Sequence, residues 1–352
     1  MAFYINGLAY LRTHRIVARY NPDGWREVPY DYGEERSKAG LWNGKKAKRV
    51  LSALIIPTQD IWHQGGLWVS PKGRLAVAFY NKKMISGRES RGKVDNVFAT
   101  WKPWMPQIFP GRGGTNIVRV WDKYGKVVRE DSVRGLGITD GIAMDKDDNL
   151  YLLAAATRMF GKKRYWDYMT GTLIKVAPER KILTTKAVIP LGELKPGRLP
   201  DTVDGQLGAA WYEGAEWFYG GLGFSGKDGS HAAGGCACWN CRFAHDYFGR
   251  SFAPETQHYS VAVLDTAGNL ILRVGRYGNV DDGVPLATER KPGTWTPKPL
   301  GGDETALFYP VYLATHSDRR LFVADPGNQR ILSVKLGYHA TETVPLKAGA
   351  VK

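Results

Sequence analysis

The chain is short of cysteine, of acidic residues and of long apolar runs. Its 352 residues include 3 cysteines, all between Cys236 and Cys241. A disulfide-stapled scaffold needs several pairs spread along the chain, so that class is excluded, and the redox compartment stays undecided. No window approaches the ~18–20 uninterrupted apolar residues of a membrane-spanning helix. The opening stretch MAFYINGLAYLRTHRIVARY carries arginines and a histidine where a secretory signal needs an apolar run. As it stands it is not a signal peptide. A mature or excised piece of a longer exported protein, periplasmic or secreted, is the favoured expectation. Acidic residues number 34 against 49 lysines and arginines, a net charge of +15, and the excess lies almost wholly in residues 1–130. A basic half suits an anionic partner (nucleic acid, a lipid surface, a polysaccharide or an acidic protein domain) or a solvated surface. No specific nucleic-acid motif accompanies the charge. GRGG at 111–114 lacks the Lys-Ser/Thr of a nucleotide-binding loop, and no G-x-S-x-G nucleophile elbow is present.

What the chain does hold is glycine (42), tryptophan (12) and tyrosine (18), a composition of short strands, many turns and packed aromatics. Two hairpin patterns recur. In the first, a short polar turn joins two apolar strands: GGLWVSPKGRLAVAFY (65–80), DGIAMDKDDNLYLLAA (140–155) and YPVYLATHSDRRLFVAD (309–325). In the second, alternation of period two runs on both sides of a turn: HRIVARYNPDGWREVPY (14–30), TNIVRVWDKYGKVVREDSV (115–133), GTLIKVAPERKILTTKAVI (171–189) and HYSVAVLDTAGNLILRVGRYGN (258–279). One hairpin of each kind makes a four-stranded meander, which is the blade of a β-propeller.

The stretch LFVADPGNQRILSVKL (321–336) resembles an NHL repeat, whose D-x-x-N-x-R-I/V pattern is matched by Asp325, Asn328, Arg330 and Ile331. LAYLRTHRIVARYNPDG resembles a degenerate copy. Six-bladed propellers of the gluconolactonase-like group share this blade grammar. The expectation is a single all-β domain over 1–352, a propeller of four-stranded antiparallel blades at about 3–33, 64–133, 139–192, 205–280 and 306–346. The first blade is expected to lack its inner strand. Long insertions at 34–62, 81–114, 193–214, 225–257 and 280–305 should cover one face.

Two places carry candidate chemistry. GGCACWNCRF (234–243) spaces Cys236, Cys238 and Cys241 as C-x-C-x2-C, so three thiolates could converge on zinc or copper(I), with His231, His245 or Asp246 as a fourth ligand. A Cys238–Cys241 disulfide or redox pair, or plain packing beneath Trp239 and Phe243, stand beside that reading. Arg242 occupies the place where a c-type haem site needs histidine. At the entries of the inner strands, His63, Asp140, Asp204 and Glu213 could ring the channel and hold a hard cation such as Ca²⁺. In the gluconolactonase-like group a divalent metal so held assists ester hydrolysis. The expected function is a binding or scaffold module presenting a loop-covered face to a protein, polymer or cofactor domain. The alternative is a metal-dependent hydrolase or lactonase at the channel.

Overall fold

The structure, a computed structural model, describes residues 2–3, 7–12, 16–30, 36–37, 41–42, 45–46, 53–56, 66–81, 115–136, 139–165, 170–179, 182–186, 198–204, 208–223, 241–278 and 305–337. Among the described residues five larger sheets, built mainly of antiparallel pairs, follow one another along the chain. The first is built on Ala2–Phe3, Ala9–Arg12, Ile16–Asn21 and Ala53–Ile55, and the second on Leu67–Val69, Leu75–Asn81, Thr115–Trp121 and Val127–Leu136. Thr139–Met144, Leu150–Ala154, Gly171–Val176 and Trp217–Leu222 make the third. The fourth is Ala244–His245, Ser251–Glu255, Ser260–Leu264 and Leu270–Val274, and the fifth has Tyr312–His316, Arg320–Asp325 and Arg330–Lys335. Helical structure among the described residues is confined to three-residue 3-10 turns.

Successive sheets pack face to face, and strand alternation explains how. In the strand Leu75–Asn81, Leu75, Val77 and Phe79 join Tyr10, Val17 and Leu54 of the first sheet. Ala76 and Ala78, on its other face, join Ile142, Met144, Leu150 and Leu152 of the third. The third meets the fourth through Tyr151, Leu153, Ala253 and Ala262, and the fourth meets the fifth through Phe252, Val261, Leu321 and Val323. Each large side chain so buried contributes about 1.5–3 kcal/mol. The innermost strands also touch their neighbours in chain order, from Ala2–Phe3 through Leu67–Val69, Thr139–Met144 and Ala244–His245 to Tyr312–His316. Sheets stacked about a common inner edge form a propeller, and the fold is an all-β propeller with four-stranded antiparallel blades.

One turn geometry closes six of the hairpins. In five of them a side-chain acceptor at the first position takes backbone N–H groups two and four residues on. Asp122 binds those of Tyr124 and Lys126 at 2.9 Å each, Asp145 those of Asp147 and Asn149, Asp246 those of Phe248 and Arg250, and Asp265 those of Ala267 and Asn269. Ser70 does the same for Lys72 and Arg74, and in the sixth His316 Nδ1 lies 2.7 Å from the Asp318 carboxylate. The fourth position is left-handed in each: glycine at 73, 125, 249 and 268, with Asp148 and Arg319 in the other two.

Three sequence expectations change. Ala2–Phe3 pairs with Ala9–Tyr10, so a two-residue strand fills the inner place of the first sheet. The outer strand of the third sheet is Trp217–Leu222, not Ile182–Lys186, which instead runs parallel to Val133–Arg134 and antiparallel to Ala210–Glu213. The reason is two-faced burial. Trp217 and Tyr219 pack on one apolar cluster and Phe218 on another, whereas ILTTK turns polar after two residues. The fourth sheet accordingly begins at Ala244, and Gly208–Glu213 belongs to an inserted layer on the outer edge of the second.

Candidate functional site

Those sequence-derived site residues that are described lie in three parts of the fold. His63, His231, Cys236 and Cys238 lie outside the described residues. Cys241 is buried in the apolar cluster with Ala143, Phe243 and Leu264. His245, four residues on, lies in the strand Ala244–His245. Asp246 is spent on its own turn: Oδ1 takes two backbone N–H groups and Oδ2 takes the Arg250 guanidinium. Of the channel candidates, Asp140 lies at the entering end of an inner strand, Thr139–Met144. Asp204 and Glu213 instead sit in the inserted layer, opposite Gly208 and Leu183. Among the described residues, no three His, Cys, Asp or Glu side chains converge as a metal cage.

Three polar clusters do converge. In the first, His245 is 3% exposed and its ring lies 4.3 Å from that of Tyr151, with the edge of Trp68 at 6.5 Å. Nδ1 is 3.2 Å from Ser251 Oγ, and Nε2 has no partner among the described residues. Burial pushes the imidazole down to about 4, although the Asp145 and Asp246 carboxylates pull the other way. Tyr151 donates to Asp145 at 3.0 Å, and burial followed by that carboxylate raises its hydroxyl. Trp68 donates to Met144 O and Thr315 to His245 O. Four sheets therefore meet around one neutral ring.

The second cluster is the turn at Asp325, Asn328 and Arg330. Asp325 is fully buried and accepts from Tyr309 N–H at 2.7 Å, from Phe308 N–H and from Asn328 Nδ2 at 2.7 Å. Asn328 also donates to Gly278 O at 2.8 Å, and Arg330 to Ala306 O. The polar trio thus ties its turn to the chain that enters the fifth sheet.

The third cluster repeats this turn unannounced. Glu255 pairs with Ser260 as Asp325 pairs with Arg330, across a 3-10 turn ending on left-handed Tyr259 where the other ends on left-handed Gln329. Buried Glu255 accepts from Tyr219 Oη at 2.7 Å and from Arg273 Nε at 2.6 Å. Its signal in the sequence is the alignment of FAPETQHYS (252–260) with FVADPGNQR (322–330), in which only phenylalanine holds its place and acidity is kept.

No family model matches the chain, and no curated protein does. Solved structures are similar to it at low identity. A streptogramin B lyase aligns at 10% identity over 95% of this chain and 64% of its own, with a TM-score of 0.39. A gluconolactonase from Xanthomonas campestris aligns at 12% over 92% and 67%, with a TM-score of 0.35. A calcium-binding regucalcin from Agrobacterium tumefaciens aligns at 13% over 90% and 77%, with a TM-score of 0.30. The similarity to each is low and is one of fold.

Proposed function

We propose that the chain is a binding module: one propeller domain that presents inserted segments to a partner. The observation that carries this is the inserted layer. Thr157–Phe160, Ile182–Lys186, Thr202–Asp204 and Gly208–Glu213 extend the second sheet beyond its outer strand, with Tyr212 rooting the layer in the blade core. Gly220 lets that layer lie close on the third sheet, since a Cβ there would stand 2.4 Å from Arg158 Cβ. In this reading Cys236, Cys238 and Cys241 are a structural clip for zinc or copper(I), with the buried Cys241 anchoring the loop to the core.

The second reading is a metal-dependent hydrolase or lactonase at the channel. Asp140, on an inner strand at its entering end, favours it. Metal content and turnover separate the two. The binding reading expects thiol-bound zinc or copper and no lactone hydrolysis that responds to Ca²⁺. Hydrolysis abolished by EDTA and by Asp140→Asn would overturn it.

A further inference from the structure

We propose that the inserted hairpin of residues 157–165, with Leu199 beside it, docks the propeller onto an anionic lipid bilayer. This rests on the binding reading and names its partner. The hairpin is two short strands, Thr157–Phe160 and Lys163–Arg164, paired Met159 to Arg164 and Phe160 to Lys163 around Gly161 and Lys162. Its base is held firmly. Thr157 is buried and its Oγ1 accepts from Thr170 N–H at 2.9 Å. Met159 N–H donates to Asp201 O at 2.9 Å, and Arg158 reaches the same carbonyl at 2.6 Å.

The tip combines what a polar surface normally keeps apart. Phe160 is 58% exposed, Leu199 49% and Tyr165 39%. Their rings and branches are neighbours: Phe160 and Tyr165 are 5.4 Å apart, and a Cβ on Gly161 would lie 4.0 Å from Leu199 Cδ1. Lys162, Lys163 and Arg164 are exposed on the same tip. Asp201, at the base, is engaged by Arg198 at 2.7 Å.

A polyanion in water would use the cations and could stack on the two rings, but it offers nothing to Leu199. A bilayer meets both needs at two depths, with phosphates outside and acyl chain beneath. Interfacial apolar groups enter to ~5–10 Å, a depth that suits exposed side chains of the size of Phe160 and Leu199. Aromatic rings with a polar edge favour that same zone. Each cation near an anionic surface is worth about fivefold in partitioning, or about twenty-five-fold for Lys162 and Lys163 together.

The test is co-sedimentation of the full chain with phosphatidylcholine vesicles, with and without phosphatidylglycerol, at physiological salt. Binding is expected only when phosphatidylglycerol is present. The pair Phe160→Ser and Leu199→Ser should weaken it by at least about tenfold, from the apolar area no longer buried. Lys162→Glu with Lys163→Glu should abolish it. Since all four side chains are exposed, the melting temperature should hold. Wild-type protein left in the supernatant overturns the proposal. So does binding that survives loss of Phe160 and Leu199 yet fails on charge reversal, the behaviour of a nucleic-acid or acidic-polymer site. In that case the module still binds and the wider reading stands. EDTA-sensitive turnover sinks the wider reading whatever the vesicles do.

Discussion

Acidification should unlock the inner strands through His245. The ring is neutral in the folded protein because burial outweighs the nearby Asp145 and Asp246 carboxylates, and Lys175 adds to the same bias. Its value falls from 6.5 to about 4. The unfolded chain therefore takes up a proton at higher pH than the native one. Stability contributed by the neutral ring is whole above pH 6.5 and is lost progressively as pH falls towards 4. A gap of this size corresponds to about 3 kcal/mol, a large part of the 5–15 kcal/mol that a domain possesses. Urea unfolding of the wild type and of His245→Phe, across pH 7 to 4, reads it directly. The variant keeps a ring against Tyr151 but cannot titrate, and it gives up the contact with Ser251 at every pH. The wild type should lose about 3 kcal/mol more than the variant over that window. Parallel stability curves would refute the account, as would an imidazole that titrates near 6.5 in the folded protein.

Other outcomes follow from single contacts. Asp325→Ala strips acceptors from two backbone N–H groups and from Asn328, and should cost about 2–4 kcal/mol in chemical denaturation. Glu255→Gln, at the equivalent turn, leaves Arg273 without its carboxylate and should cost about 1–3 kcal/mol, read the same way. Gly220→Ala must push Arg158 away and should destabilise by about 1–3 kcal/mol, with the earliest gain in hydrogen exchange over residues 157–165. If the cysteine loop holds an ion, metal-stripped protein should gain reactive thiols. Three thiols that react slowly with no metal bound as purified would mean a packed loop.

How much of this could be read from the sequence depended on distance along the chain. The hairpins were readable because alternation and turn residues are local; Asp265-Thr266-Ala267-Gly268 forms the turn its residues suggest, with Gly268 left-handed. The Asp325, Asn328 and Arg330 trio was readable for the same reason, since all its members fall within six residues. Glu255 was hidden because Tyr259 takes the left-handed position and Pro254 stands in the strand, neither a residue that pattern reasoning places there. The outer strand of the third sheet was hidden by an insertion from 177 to 216, across which no local signal tells Trp217–Leu222 from Ile182–Lys186. His245 was singled out for its chemistry, but its environment comes from Trp68 and Tyr151 on two other sheets. Its role as a buried neutral ring is a tertiary fact.

Charge shows the same divide between composition and contact. The excess of cations in residues 1–130 suggested a basic face, yet the described arginines there work largely as internal ties. Arg12 donates to Gly66 O and Ala78 O, joining the first sheet to the second. Arg19 is buried, lies 4.2 Å over the Tyr30 ring and reaches Val28 O, Pro29 O and Lys123 O. Arg74 and Lys72 share Asp148 with the third sheet, and Arg129 donates to that residue's carbonyl. A guanidinium suits this work because it offers five donors in a fixed plane to carbonyls that strand pairing leaves over. Charges engaged in this way are partly shielded from solvent and respond weakly to salt, whereas exposed ones are screened beyond ~10 Å at 0.1 M. The cations on the 161–165 tip belong to the half that composition makes nearly neutral, and they are exposed on the same tip as Phe160.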